Sequence, residues 1–98
     1  MEINKAQNGS RLEVALTGRL DTTTAPQLEA MLKESLEGIT ELVLNFANLD
    51  YISSAGLRVL LASQKTMNKQ GSMLICNVND EIKEVFEITG FSDILTIA

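Results

Sequence analysis

The sequence has no histidine, one cysteine and only eight basic residues among 98. Without histidine it can build no Ser-His-Asp triad, no imidazole general base and no His-bearing zinc site. The lone Cys76 excludes an internal disulfide and any CxxC motif. Its setting, Leu74-Ile75-Cys76-Asn77-Val78, reads as a strand, where a single cysteine is a small buried hydrophobe. Eight lysines and arginines against 13 acidic residues give a net charge of −5, with no run of three basic residues. That balance disfavours DNA, RNA and anionic membrane surfaces as partners, since all of them demand a positive field. No stretch approaches the ~18–20 apolar residues that span a bilayer, and Met1-Glu2-Ile3-Asn4-Lys5 lacks the apolar region of a signal peptide. The six glycines, at positions 9, 18, 38, 56, 71 and 90, form neither GxGxxG nor GxxxxGK, which excludes phosphate-cradling loops of those types. The exclusions point to an acidic cytoplasmic module with no cofactor, no metal site and no direct membrane insertion. Carboxylates and hydroxyls are left for chemistry.

What is present is ordinary globular composition, 45% apolar and 21% charged. It suits one domain over residues 1–98 with one small core. Asn8-Gly9 between extended runs marks a hairpin, with positive φ expected at both residues of a type I′ turn. Leu12, Val14 and Leu16 alternate with Glu13, Ala15 and Thr17, the period of a strand with one buried face, and Gly18 breaks it. Thr24 and Gln27 match a capping box with Pro26 in the first turn. Leu28, Met31, Leu32 and Leu36 then form one helical stripe up to a stop at Gly38. The apolar run at 41–46 reads as a central strand covered on both faces. A loop over 47–52 leads to a second helix, with Leu57, Leu60 and Leu61 facing inward and an end near Gln70-Gly71.

Residues 72–78 read as a strand, and Asn79 or Asp80 caps a third helix that buries Ile82, Val85 and Phe86. Gly90 stops this helix, with Phe91 placed for the accompanying apolar contact. A last short strand is expected at 94–97. The order ββαβαβαβ implies an α/β single-domain mixed β-sheet with amphipathic helices, its later strands parallel through right-handed crossovers.

The segment from Asn45 to Leu60 is the most informative. It runs from a buried strand to a helix start crowded with hydroxyls and small residues, at the carboxyl end of a strand, where ligands and partners of open α/β sheets bind. Ser53 or Ser54 can serve as an N-cap there, satisfying orphan N–H groups of the first turn. The same position tolerates an added phosphate beside the positive end of the helix dipole. Asp21 either supports the turn into the first helix or contacts a partner. Asp50 reads as a solvated loop aspartate that could also orient a serine or bind a cation. Asp80-Glu81 and Glu84 with Glu87 read as a helix start and a wet face, since a cation cage needs more converging oxygens. Met67 and Met73 read as core or rim filler.

Three stretches resemble the stand-alone STAS domain, the anti-sigma factor antagonist. They are Thr17-Gly18-Arg19-Leu20-Asp21; Leu42-Val43-Leu44-Asn45 with Leu49-Asp50-Tyr51-Ile52-Ser53-Ser54-Ala55-Gly56-Leu57; and Val85-Phe86-Glu87-Ile88-Thr89-Gly90-Phe91. The resemblance covers essentially the whole chain, and its middle stretch is the specific one. It implies a non-enzymatic bacterial switch with no catalytic residues. In that family the unmodified protein binds an anti-sigma factor, often itself a serine kinase, and so frees the sigma factor. The kinase then phosphorylates a serine at the start of the second helix, which dissociates the complex, and a PP2C-type serine phosphatase resets it.

The family pattern there is usually Asp-Ser-Ser/Ala-Gly-Leu. By register the resemblance assigns phosphorylation to Ser54. Ser53 stands where the family usually has Asp and is a competing acceptor. The partner-binding face implied is Asp21, Asp50, Tyr51, Ile52, Ser53, Ala55, Gly56 and Arg58, with the stretch Gly18–Asp21 a further candidate part of it and Gly56 letting a partner approach the backbone closely. Phosphorylation adds about −1.5 to −2 charge at one helix start, without requiring the domain to melt. Rival readings are a STAS subunit docking on the ATPase of a membrane transporter complex, a small nucleotide-binding module, and a scaffold piece. Monomer and weak dimer both stay open.

Overall fold

The computed structural model describes residues 1–98. Its amino-terminal run folds into a hairpin of β1 (Glu2–Asn8) and β2 (Arg11–Leu20). The turn is Gly9-Ser10, one residue later than Asn8-Gly9: Asn8 pairs with Arg11, and Gly9 takes a φ of +63° while Ser10 does not enter that region. Glycine at the first of two central positions is the Gly-X form of a two-residue turn, which needs only one left-handed residue.

Next come α1 (Ala25–Ser35), β3 (Glu41–Ile52), α2 (Ser54–Gln70), β4 (Ser72–Cys76) and α3 (Asp80–Thr89), with a 3-10 turn at Phe91–Asp93. The sheet order is β1-β2-β3-β4; β1 is antiparallel to β2, and the later pairings are parallel. The strand expected at 94–97 is reduced to a single bridge between Ile75 and Ile97. In it Ile75 N–H donates to Thr96 O and Ala98 N–H donates to Ile75 O, both at 2.9 Å. Those two bonds cover part of the outer edge of β4, which would otherwise present unpaired backbone groups. No helix is long and apolar enough to cross a membrane.

The pleat sorts the strand residues into two faces. Leu12, Val14, Leu16, Leu42, Leu44, Phe46, Met73 and Ile75 join Leu28 and Leu32 of α1, Leu57, Leu60 and Met67 of α2, and Ile82 and Phe86 of α3 in one apolar cluster. All three helices therefore lie on the same side of the sheet. Complete burial of a side chain such as Phe46, Phe86 or Leu44 stabilises the fold by about 1.5–3 kcal/mol. The expectation that the third strand is covered on both faces does not hold. Glu13, Ala15, Asn45, Leu74 and Cys76, on the helix-free face, are half-buried. Val43 on that face is 4% exposed, shielded by Glu13 and Leu74 beside it in the neighbouring strands.

The helix ends are set by local bonds. Leu36 closes α1 through its N–H to Leu32 O, and Gly38, at φ +79°, shapes the turn beyond it. Asn79, not Asp80, caps α3 by accepting from Ile82 N–H at 2.8 Å. Gly90 ends that helix in the left-handed conformation, and the half-buried Phe91 packs on the core. In α2 the inward stripe includes Val59, Ser63, Gln64 and Met67, whereas Leu61 is only half-buried.

Candidate functional site

Strands β2 and β3 run past Gly18 and Phe46, where the sequence pattern suggested breaks. Beyond the Ala15–Asn45 pair the register shifts twice, so that Thr17 meets Asn48, Gly18 meets Leu49, Arg19 meets Tyr51 and Leu20 meets Ile52. Over this stretch β3 carries two more residues than β2, the signature of bulges. The segment 47–52, expected as a loop, is therefore bulged strand. Asn45 anchors the first shift: its Oδ1 accepts from Ala47 N–H and from Asn77 Nδ2, both at 3.0 Å. Gly18 supplies the matching distortion in β2 at φ +104°, a conformation that glycine adopts without steric cost.

The two strand ends deliver the chain to α2. Ser53 N–H donates to Leu20 O at 2.9 Å. Ser53 is the N-cap, with extended backbone, and its Oγ accepts from Gly56 N–H at 3.4 Å. That bond is long, but it fills one orphan donor of the first turn. Ser54 is the first residue of α2 and is exposed. Its hydroxyl makes no hydrogen bond within the chain, unlike those of Ser53 and Ser63. No acidic side chain lies in the first turn, and Arg58 stands exposed one turn further on. An anion at this end would meet the positive helix terminus without a carboxylate in the same turn.

Two residues expected to face a partner point inward instead. Ile52 is 4% exposed, and Gly56 is buried. A Cβ on Gly56 would lie 2.8 Å from both Ile52 Cγ1 and Leu20 Cγ. The close approach that Gly56 permits is that of α2 onto its own core, so these residues form the floor of the site. Asp50, Tyr51, Ser54 and Arg58 are exposed, while Asp21, Ser53 and Ala55 are half-buried.

Arg19, within the expected Gly18–Asp21 part of the binding face, joins this surface through contacts that the sequence pattern did not foretell. Its guanidinium lies 4.2 Å from the centroid of the Tyr51 ring and 3.8 Å from Asp21 Oδ2. Its place between Gly18 and Asp21, within one of the three family-like stretches, was the available signal. Asp21 also organises the turn into α1. Its Oδ1 accepts from the Thr23 hydroxyl at 2.7 Å, Thr23 N–H at 3.0 Å and Thr24 N–H at 3.1 Å. These bonds, the Thr23 hydroxyl foremost, hold its carboxyl below the ordinary aspartate range against a smaller opposing effect of desolvation. The expected capping box is absent. Thr24 Oγ1 instead donates to Arg19 O and accepts from Asp21 N–H, both at 2.8 Å. Between the starts of α1 and α2 lies a depression of about 190 Å³ lined by Thr22, Ala25, Pro26, Glu29, Ala55, Arg58 and Val59.

A profile of the STAS domain matches residues 2–98. The chain belongs to the STAS domain family. This STAS domain is 38% identical, over a 100-residue alignment covering all of it and 86% of the relative, to BtrV of Bordetella bronchiseptica, a protein named as a candidate anti-sigma factor antagonist. It is 34% identical over 87 residues, 87% of its length and 81% of the relative's, to an anti-sigma-B factor antagonist of Staphylococcus aureus. The solved structure of the anti-sigma factor antagonist SpoIIAA in its unphosphorylated form superposes with a TM-score of 0.79 at 18% identity, over 99% of this STAS domain and 87% of that chain. SpoIIAA from Bacillus in its phosphorylated form superposes with a TM-score of 0.78 at 19% identity, over 99% and 91% of the two chains. These superpositions show that the mixed sheet with helices on one side is the STAS fold.

Proposed function

We propose that this STAS domain is an anti-sigma factor antagonist that works by partner switching at Ser54. Unmodified, it docks an anti-sigma factor through the exposed Asp50, Tyr51, Ser54, Arg58 and stacked Arg19, with the half-buried Asp21 beside them. A serine kinase, the anti-sigma factor itself in this reading, transfers the γ-phosphoryl group of ATP to Ser54 Oγ. The hydroxyl proton is lost and ADP is released. A PP2C-type phosphatase hydrolyses the ester and returns inorganic phosphate. The names of both curated relatives support a sigma-factor circuit over docking on a transporter ATPase.

The observation that carries this reading is the division of labour between neighbouring hydroxyls. Ser53 Oγ is engaged with Gly56 N–H, whereas Ser54 Oγ is exposed and unengaged at the first residue of α2. A phosphate there adds about −1.5 to −2 charge at a helix end that favours anions, so the domain stays folded. The partner feels the change as lost contacts and added charge. Each tenfold loss of affinity corresponds to about 1.4 kcal/mol. Incubation with ATP and the host's anti-sigma factor kinase, followed by mass spectrometry, tests the assignment. Phosphate should map to Ser54, vanish in Ser54→Ala and persist in Ser53→Ala. Phosphate at neither serine, or at Ser53 alone, would overturn it.

A further inference from the structure

We propose that α3 and the turn after it form a second docking surface, which takes a basic amphipathic helix of another protein. Residues 80–94 hold five carboxylates, Asp80, Glu81, Glu84, Glu87 and Asp93, against the single Lys83. That is a net charge of −4 within a chain of net −5. None of these carboxylates forms an ion pair, since the four ion pairs of the protein join Arg11, Arg19 and Lys33 to Glu13, Glu41, Asp21 and Glu29.

Helix stability does not account for the pattern. Asp80 and Glu81 suit the first turn, but Glu87 lies near the carboxyl end, and the last turn has no basic residue. That end of the dipole favours cations. Ile88, nevertheless, is 77% exposed in the midst of these charges, and Ile94 is 48% exposed. At 100° per residue Ile88 falls between Glu81 and Glu84 on the side of α3 opposite Ile82 and Phe86. An exposed apolar side chain ringed by unpaired carboxylates is the complement of apolar side chains at i, i+3 and i+4 flanked by lysine or arginine. A second copy of this chain would bring like charge to the same face, and anionic lipid would be repelled.

Residues 80–94 include none of the residues of the proposed Ser54 site, so the proposal stands independently of the phosphorylation reading. A fluorescent peptide of about 18 lysines and leucines, with the leucines at helical spacing, is titrated into the full chain. Backbone NMR shifts are followed in the same samples. Saturable binding is expected, with shifts confined to residues 80–94, and affinity should fall at least tenfold on raising salt from about 50 to 300 mM. Ile88→Ser and Glu84→Lys should each lower affinity about tenfold, with thermal melting showing both variants folded, and Ser54→Asp should leave it unchanged. A peptide of the same composition with scattered leucines should bind at least tenfold more weakly. Equal binding of the scattered peptide, shifts centred elsewhere, indifference to Ile88→Ser, or self-association through α3 in place of peptide binding would each overturn the proposal.

Discussion

The Arg19 guanidinium sits over the Tyr51 ring because the two inserted residues of β3 place Tyr51, rather than Leu49, opposite Arg19. The pair ends the β2–β3 ladder on the sheet face that carries no helix, and Asp21 steadies the guanidinium from the β2 side. An exposed cation–π contact contributes about 0.5–1 kcal/mol to folding. Tyrosine and arginine are, however, the residue types that dominate binding energy at protein interfaces.

Tyr51→Ala should therefore cost less than about 1 kcal/mol of stability in urea unfolding. In calorimetric titration it should weaken binding to the anti-sigma factor by tenfold or more. Arg19→Ala should act in the same direction on both measurements. Unchanged affinity in both variants would remove the pair from the docking surface.

Glycine positions separate packing from function. Gly56→Ala sets a Cβ 2.8 Å from Ile52 Cγ1 and Leu20 Cγ, an overpacking cost of about 1–3 kcal/mol. The helix preference of alanine returns up to about 1 kcal/mol of that, leaving a net loss on the order of 1–2 kcal/mol. Gly71→Ala should cost more, about 3 kcal/mol, because its Cβ would run into the Thr40 carbonyl. Thr40 O accepts the Ser72 N–H that starts β4 and cannot retreat. Urea midpoints of the two variants against the parent check the order.

The parts of this fold that were legible in the sequence are those governed by short-range periodicity. The stripes of Leu28–Leu32, Leu57–Leu60 and Ile82–Phe86, and the alternation of Leu12, Val14 and Leu16, foretold the helices and the inner face of the sheet. The helix start at Ser53-Ser54 was legible too, since capping chemistry is local. What escaped lay beyond the bulges, where the period of two fails. There 47–52 looked like a loop, Gly18 looked like an end, and the Arg19–Tyr51 pairing depended on a register that no local pattern encodes. The covering of the sheet on one side only was likewise hidden, because Val43 is shielded by neighbouring strands as effectively as by a helix. Gly56 looked like an open approach for a partner, and only the three-dimensional meeting of Leu20, Ile52 and α2 reveals its inward role.

The depressed acidity of Asp21 fixes the sign of a pH effect. The group binds its proton less readily folded than unfolded, so its stabilising contribution is present above the ordinary aspartate range. It is lost as pH falls through the lowered folded value. The stability difference between the parent and Asp21→Asn should thus be pH-independent near neutrality and shrink below about pH 4. NMR titration of the Asp21 carboxyl should give a midpoint under the ordinary value, and Thr23→Ala should raise it. A midpoint at or above the ordinary value would show that the Thr23 and Thr24 bonds do not persist in solution.

The most direct test is to compare the protein carrying phosphoserine at position 54 with the unmodified protein, in a backbone NMR spectrum and in a titration against the anti-sigma factor. Shifts confined to the neighbourhood of residues 52–58, an undiminished melting temperature and a loss of affinity of at least tenfold, about 1.4 kcal/mol, are expected. Collapse of the spectrum, or equal affinity of the two forms, would contradict partner switching at Ser54.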